Sequence, residues 1–542
     1  MNKKTFSGNI VDVVNEQIFS GTISVEDGNI ISIDENKNEY EHFIIPGFID
    51  SHIHIESSML PPSEFARIAL SHGTVGVVAD PHEIANVLGV EGVRFMIENA
   101  RTVPLKFYFS APSCVPATRF ETSGASLSAE DIKLIFDEFP DIRFLGEMMN
   151  VPGVIHDDPE VLNKIAVARR HNKLIDGHAP GLSGQDLKKY ANAGITTDHE
   201  CSRKEEALEK LSLGMKVQIR EGSAARNFDE LIDLAREHFK DCMFCSDDKH
   251  PDDLLEGHIN LLVQRAVSEG IEVMKILRMA CVNPVRHYGL DIGLLQIGDP
   301  ADFLIVDSLD QFNVIQTIIG GRAVYKNGHV SVPRKRYKYS NNFNALPKTM
   351  RDFYIEHNYS NTPVIEVLDG QLLTRKIEHH INIENHNLIS DPEHDILKIA
   401  VVNRYTNRKP AIAFVKNFGL QKGAIASSVA HDSHNVIAVG VSEDDICDAV
   451  NLIIRAKGGI AVSCKEDNIS ELLPLPIAGL MSDKHYKTVG NKYRELDNLA
   501  KQLGSQLSAP FMSLSFMALL VIPEIKLSDK GLFDGVKFKF IA

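Results

Sequence analysis

His52 and His54 stand two residues apart in the segment PGFIDSHIHIESSM (46–59), at the end of an apolar run. In an extended strand, residues i and i+2 share a face, so both imidazoles can reach one point. Four more side chains follow apolar runs in the same way. They are Glu147 in IRFLGEMM (142–149), His178 in LIDGHAP (174–180), His199 in ITTDHEC (195–201) and Asp247 in MFCSDDKHP (243–251). Four imidazoles and two carboxylates make a donor set suited to two borderline divalent cations. A carboxylate such as Glu147 can bridge the pair, and a water shared between them loses a proton near neutral pH. Asp247 can take up that proton and pass it on. One such histidine alone would more often be a hydrogen-bonded core or surface residue; four at matching positions argue for a site.

These residues must be positioned by a repeated element. An apolar run, a polar tip and a helical stretch recur, with helices predicted near 85–99, 128–138, 158–171, 203–212 and 224–239. Eight strand–helix units in roughly 220 residues fit a (β/α)₈ TIM-type barrel within the α/β class. The count of eight, and the polar residues after the strands, favour it over an open doubly wound sheet. All six side chains then meet at the C-terminal mouth of the barrel. Residues 1–45 alternate apolar and polar, with a hairpin signal at Asp27-Gly28. Residues 289–335 return to β character through GLLQIGDPADFLIVD (293–307). The predicted organisation is a split small β-sandwich module (1–45 with 289–335), the barrel (46–288) and an additional C-terminal α/β domain (345–542). The basic, polar stretch 333–346 reads as a linker.

Composition sets outer bounds. The chain has 542 residues, with 57 Lys plus Arg against 73 Asp plus Glu, a formal charge of −16. That balance opposes non-specific nucleic-acid binding. A hydrophobic content of 44% is ordinary for a globular protein. The longest apolar stretch, near Phe511 to Ile522, is too short to span a bilayer, and the N-terminus lacks the apolar core of a signal peptide. Seven scattered cysteines read as reduced thiols. The expectation is a cytoplasmic enzyme with no membrane or nucleic-acid partner, and a homodimer by symmetry. Two motifs mislead. His54-Ile55-Glu56 and Cys242-x-x-Cys245 mimic the zinc nucleobase-deaminase signature, but they lie far apart and Asp241, not proline, precedes the first cysteine. GLSG (181–184) is too short for a phosphate loop and reads as a turn into a helix.

The segment PGFIDSHIHIESSM resembles the first-strand signature of the amidohydrolase superfamily, and IGDPADFLIVD (297–307) resembles its closing strand. More narrowly, ADPHEIANVLG (79–89), GEMMNVPGV (146–154), DGHAPGLSG (176–184), IREGSAARN (219–227), CSDDKHPDDLLEGHIN (245–260), AHDSHN (430–435) and LPLPIAGLMS (473–482) are similar to bacterial adenine deaminases. That resemblance runs almost end to end. It implies hydrolysis of adenine to hypoxanthine and ammonia, a purine-salvage reaction, at a binuclear centre of manganese or iron, with zinc also possible. Many superfamily members bridge their metals with a carboxylated lysine; Glu147 fits the adenine deaminase pattern instead. The rivals are another amidohydrolase, such as a cyclic-amide hydrolase or guanine deaminase, and a catalytically silent assembly protein of the same fold.

In the implied reaction, hydroxide attacks carbon six of the base while a donor engages a ring nitrogen. Glu83, His82, Asp80 and Glu200 are candidates, with Glu83 preferred. Its blander role is an acid satisfying a helix N-terminus. Arg220 and Glu221 could contact the purine or form an internal ion pair, and Ser113 carries the same ambiguity. The resemblance implies that His431, Asp432 and His434 cover the active site; otherwise they cap a distant turn.

Overall fold

The computed structural model describes residues 3–335, 337–356 and 361–541. Its centre is a barrel of eight parallel strands: β1 (Phe48–Ile53), β2 (Thr74–Ala79), β3 (Lys106–Ala111), β4 (Phe144–Met148), β5 (Leu174–Gly177), β6 (Thr197–Asp198), β7 (Lys216–Arg220) and β8 (Cys242–Cys245). β1 to β5 form one ladder and β6 to β8 another. Two seams close the circle. Asp247 N–H donates to the His52 carbonyl at 2.9 Å and His54 N–H to the Asp247 carbonyl at 3.3 Å, while Thr196 N–H donates to the Ile175 carbonyl at 2.9 Å. Gly177 is required at the second seam, because a Cβ there would lie 2.3 Å from the Thr197 carbonyl. β1, β2, β4 and β8 are buried along their whole length, as covered parallel strands must be.

The connecting helices carry recognisable starts. Ser128 and Asp131 form a capping box for Ala129–Glu138, and Asp158 caps Pro159–Arg170. Gly184–Asn192 follows directly on the GLSG turn. The segment after β7 departs from the expected long helix. Only Phe228–Leu231 and a 3₁₀ turn, Ile232–Arg236, are helical. The reason lies in Asn227. Its amide donates to the His199 and Cys201 carbonyls and accepts the Arg220 N–H, so the preceding chain is held at the barrel mouth.

The split β module is one continuous eight-stranded sheet. Its spatial order is His329–Val330, Arg322–Lys326, Val314–Ile319, Phe303–Val306, Phe43–Pro46, Lys4–Asp12, Gln17–Glu26, Asn29–Glu35. The sheet curls so that Asn29 bridges Pro300 over a core including Ile10, Ile23, Phe303 and Ile318.

The C-terminal region is built on a second eight-stranded sheet, from Thr374–His380 at one edge to Ile469–Pro474 at the other. Helices Glu443–Ala456, Tyr486–Gln502 and Pro510–Phe516 accompany it; the last holds the first half of the longest apolar stretch. This region is docked onto the barrel: Ser482 N–H donates to the Met59 carbonyl at 2.8 Å and Tyr486 N–H to Glu64 at 3.1 Å. The stretch read as a linker is pinned rather than free. Asn341 and Asn342 bond the Arg404 side chain, and the Ser340 carbonyl accepts the Ala478 N–H. Among the described residues no helix is long and apolar enough to cross a membrane.

Candidate metal centre and active site

The C-terminal ends of β1, β4, β5, β6 and β8 bring six side chains to the barrel mouth, none more than 7% exposed: His52, His54, Glu147, His178, His199 and Asp247. His54 Nε2 lies 3.2 Å from His52 Nε2, 3.2 Å from Asp247 Oδ1 and 3.4 Å from Glu147 Oε1. The other Glu147 oxygen, Oε2, lies 2.9 Å from His178 Nδ1, 3.1 Å from His199 Nε2 and 3.9 Å from His52 Nε2. Glu147 thus turns one oxygen to each side of the cluster. His52, His54 and Asp247 can share one cation, and His178 and His199, both beside Glu147 Oε2, can hold a second with that carboxylate. Two ligands each about 2.1 Å from one cation lie roughly 3 Å apart, the spacing seen here.

The chemistry of the donors fits such ions. His54 Nδ1 faces the Asp80 carbonyl at 3.1 Å. A carbonyl only accepts, so that nitrogen carries the hydrogen and Nε2 of the neutral ring presents a lone pair to two carboxylate oxygens. Acceptor against acceptor is repulsive unless positive charge lies between. Without a cation the ring must take a proton. Burial opposes that, yet the Asp247 hydrogen bond and the Glu147 charge raise His54 to about 10. His52 cannot follow; burial and the neighbouring His199 and His54 lower it to about 3. Buried His52 Nδ1 and His178 Nε2 have no hydrogen-bond partner.

A second layer fixes these ligands. Asp80 accepts from the Ser110 hydroxyl at 2.8 Å and from the Glu147 N–H at 2.9 Å. Gly146 permits this, since a Cβ there would lie 2.3 Å from Asp80 Oδ2. The Ser113 hydroxyl donates to the Glu147 carbonyl. Asp80 and Ser113 therefore sit behind the cavity wall and hold Glu147; neither lines the cavity. The Tyr190 hydroxyl accepts the His178 N–H at 3.0 Å and donates to the Met148 carbonyl at 2.8 Å. Lys210, fully buried, donates to the Ala179 carbonyl, Asp198 and Glu206.

Arg220 reaches into the site as an ion pair. Its Nη1 lies 2.6 Å from Asp247 Oδ2 and also meets Glu200, whose other oxygen is 3.1 Å from Nη2. Burial disfavours ionised Asp247, but Arg220, His54 and His199 hold it well below the usual carboxylate range. Glu221 turns away, toward Arg265 at 3.2 Å and Arg226 at 3.8 Å.

The 430–435 loop of the C-terminal region closes over the barrel. His431 Nε2 lies 3.1 Å from Glu83 Oε1 and 3.3 Å from Asp248 Oδ1, and His434 meets the other Glu83 oxygen. The Ala430 N–H donates to His434 Nδ1 at 3.2 Å, so Nε2 carries the hydrogen on the side of Glu83. His82 Nε2 is 3.3 Å from Glu83 Oε1. Against the cost of burial, His431, His434 and His82 hold Glu83 well below the usual carboxylate range. Glu83 is therefore held as an ionised carboxylate among three imidazoles. Asp432 Oδ1 is 3.9 Å from His82 Nε2, and its buried Oδ2 has no partner.

Between these groups lies a cavity of about 20 Å³, room for about one water. Met149 and Ala225 from the barrel, with Leu372, Phe516 and Leu519 from the C-terminal region, give it an apolar wall. Met149 and His178 also border a larger cavity of about 840 Å³ between the loops after β3 and β4 and residues 521–538. Sequence reasoning did not single out Asp248 or these apolar residues. Asp248 follows Asp247 directly, and consecutive acids at a strand end were the available signal; nothing local marks Leu372.

Residues 43–324 match the amidohydrolase family, and residues 371–539 match the adenine deaminase C-terminal domain. An adenine deaminase of Methanosarcina mazei is 50% identical over 551 residues, covering 99% of each chain. One from Salinibacter ruber is 52% identical over 539 residues, covering 99% of this chain and 98% of the relative. One from a Sulfurovum species is 53% identical over 534 residues, covering 98% of each. With full-length relatives at this identity, and with both halves matched by family models, the chain belongs to the adenine deaminases of the amidohydrolase family.

Proposed function

We propose that the chain hydrolyses adenine to hypoxanthine and ammonia, with His52, His54, Glu147, His178, His199 and Asp247 holding two divalent cations. The mixed imidazole and carboxylate donors suit manganese, our choice, and also accept iron or zinc. When bound, such cations supply a water activated for attack near neutral pH. Asp247 stays ionised beside Arg220, so it can accept a proton from the attacking water and return it to the departing amine. Glu147 and the rings around it keep the reacting face polar. Leu372, Phe516 and Leu519 form an apolar wall against which a flat base packs and which excludes bulk water. Because the cavity is smaller than a purine, that wall must yield for adenine to enter. The seven cysteines are unpaired and buried, which supports a reducing, cytoplasmic setting.

One observation carries the reading. A complete donor set converges beneath a cover supplied by the very region that matches the adenine deaminase C-terminal domain. The test is ammonia release from adenine, guanine, cytosine and dihydroorotate by the metal-loaded protein. Adenine alone should give rapid release, with hypoxanthine as product. Preferential turnover of guanine or dihydroorotate would identify a different amidohydrolase. No turnover together with no bound transition metal would leave a silent member of the fold.

A further inference from the structure

Six acids line the catalytic cavity: Glu83, Glu147, Glu200, Asp247, Asp248 and Asp432. Five have cationic or imidazole partners within hydrogen-bonding range. Glu83 meets His431 and His434, Glu147 meets His178 and His199, Glu200 and Asp247 meet Arg220, and Asp248 meets His431. Asp432 differs in the distance of its ion pair. It is 2% exposed, the one imidazole within 4 Å among the described residues, His82, stands 3.9 Å away and closer to Glu83, and its Oδ2, like the Glu83 oxygens, makes no hydrogen bond to a described residue. An acid buried without a cation keeps its proton more readily than one that is paired.

We propose that Asp432, carried by the C-terminal region, is the acid that bonds ring nitrogen N1 of adenine and protonates it during attack at carbon six. The assignment rests on the adenine reading above and adds to it the source of the N1 proton. Adenine presents a lone pair at N1, whereas hypoxanthine carries hydrogen there, so the reaction must deliver one proton to that atom. Asp432 gives its proton to N1 as the water oxygen bonds carbon six and Asp247 takes the first water proton. Asp247 returns that proton to the amine, the carbon–nitrogen bond breaks and ammonia leaves. The second water proton, shed as the carbonyl forms, replaces the one Asp432 gave. Until that proton arrives, the ionised Asp432 accepts the N1–H of the forming hypoxanthine.

The surroundings support a proton on Asp432. Facing it are His82 and Glu83 from the helix His82–Leu88, His431 from its own loop, Glu147 from β4 and Glu121 from the loop after β3. Burial raises Asp432 to about 6; Glu83 and Glu147 add to the rise, while His82 and His431 oppose it. Glu121, buried beside Asp432, is pushed up to about 8, chiefly by burial, and as a carboxyl group it offers Asp432 no cation.

The test uses D432N in the metal-loaded, full-length protein. Asparagine keeps the shape and can bond N1 but cannot transfer a proton. The expected result is a fall in kcat of about a hundredfold or more, with KM within about threefold and metal content unchanged. The alkaline limb that Asp432 gives the wild-type kcat/KM profile should vanish. Wild-type turnover tests the adenine reading, and the variant ratio tests only this assignment. Near-wild-type kcat in D432N, or an alkaline limb that survives the substitution, would overturn it. A second measurement needs no variant. Between pH 5 and 8, inhibition of the wild type by purine, an acceptor at N1, should weaken as pH rises, and inhibition by hypoxanthine should strengthen. Dependences of the same sign would also overturn the assignment.

Discussion

Replacing Lys210 by methionine should loosen the metal centre without touching any residue assigned to bind metal or substrate. The Lys210 ammonium lies 2.7 Å from the Ala179 carbonyl, 2.8 Å from Asp198 and 2.8 Å from Glu206. Its side chain and that of Asp198 are fully buried, and Glu206 is 3% exposed. Ala179 follows His178 and Asp198 precedes His199, so one lysine ties together the ends of β5 and β6. Methionine has a similar shape and no donor, leaving two buried carboxylates uncompensated. Orphaning one partner of a buried pair costs about 3–5 kcal/mol. Asp198 would relieve part of this by taking a proton, weakening its bond from the Ala179 N–H at 2.7 Å. Loss of such outer support costs about 10–100-fold in metal affinity, or about 1.4–2.7 kcal/mol. The assay is metal retention against a competing chelator, with melting followed at saturating metal. K210M should release metal at correspondingly lower chelator and melt at lower temperature even when loaded. Wild-type retention and melting in K210M would refute the idea that this lysine supports His178 and His199.

Three shielded histidines, His250 buried and His72 and His287 half-buried, set an acid limit. Burial lowers His72, His250 and His287 to about 4 each, against about 6.5 in the unfolded chain. Between those values the unfolded chain binds more protons, so their contribution is full above pH 6.5 and is lost as pH falls toward 4. The denaturation midpoint should drop through that window, and H287Q should flatten the drop; a midpoint constant from pH 7 to 4 would contradict this. Arg404, fully buried with no carboxylate partner among the described residues, bonds Asn341, Asn342 and the carbonyls of His434 and Ala478. R404M should raise KM for adenine about tenfold by freeing the 430–435 loop, at about 1.5–3 kcal/mol per charged hydrogen bond lost. It should also make the 337–346 segment sensitive to limited proteolysis. Unchanged KM and protease resistance would remove that role.

The barrel was legible because its signals are local. Each strand is an apolar run short enough to read by eye, each ends in a polar tip, and Ser128 and Asp158 mark helix starts. The same regularity put His52, His54, Glu147, His178, His199 and Asp247 at one mouth. What lay beyond reading was contact between distant segments. Nothing periodic links Glu83 to His431 and His434, so the sequence could not show the imidazoles that surround Glu83. The ambiguity at Arg220 had the same origin, since Glu200 and Asp247 become its partners only once β6, β7 and β8 stand side by side. Asn227 shows the reverse case: a side chain diverted to hold carbonyls at the barrel mouth shortened a helix that periodicity alone extends.

The central claim is that this donor set works by holding a pair of divalent cations. It is tested most directly by stripping the protein of metal and titrating manganese, iron(II) or zinc back while following hypoxanthine formed from adenine. Activity should be absent in the stripped protein and rise until about two cations per chain are bound. Undiminished adenine turnover by the stripped protein, or a rise complete at one cation, would contradict the account.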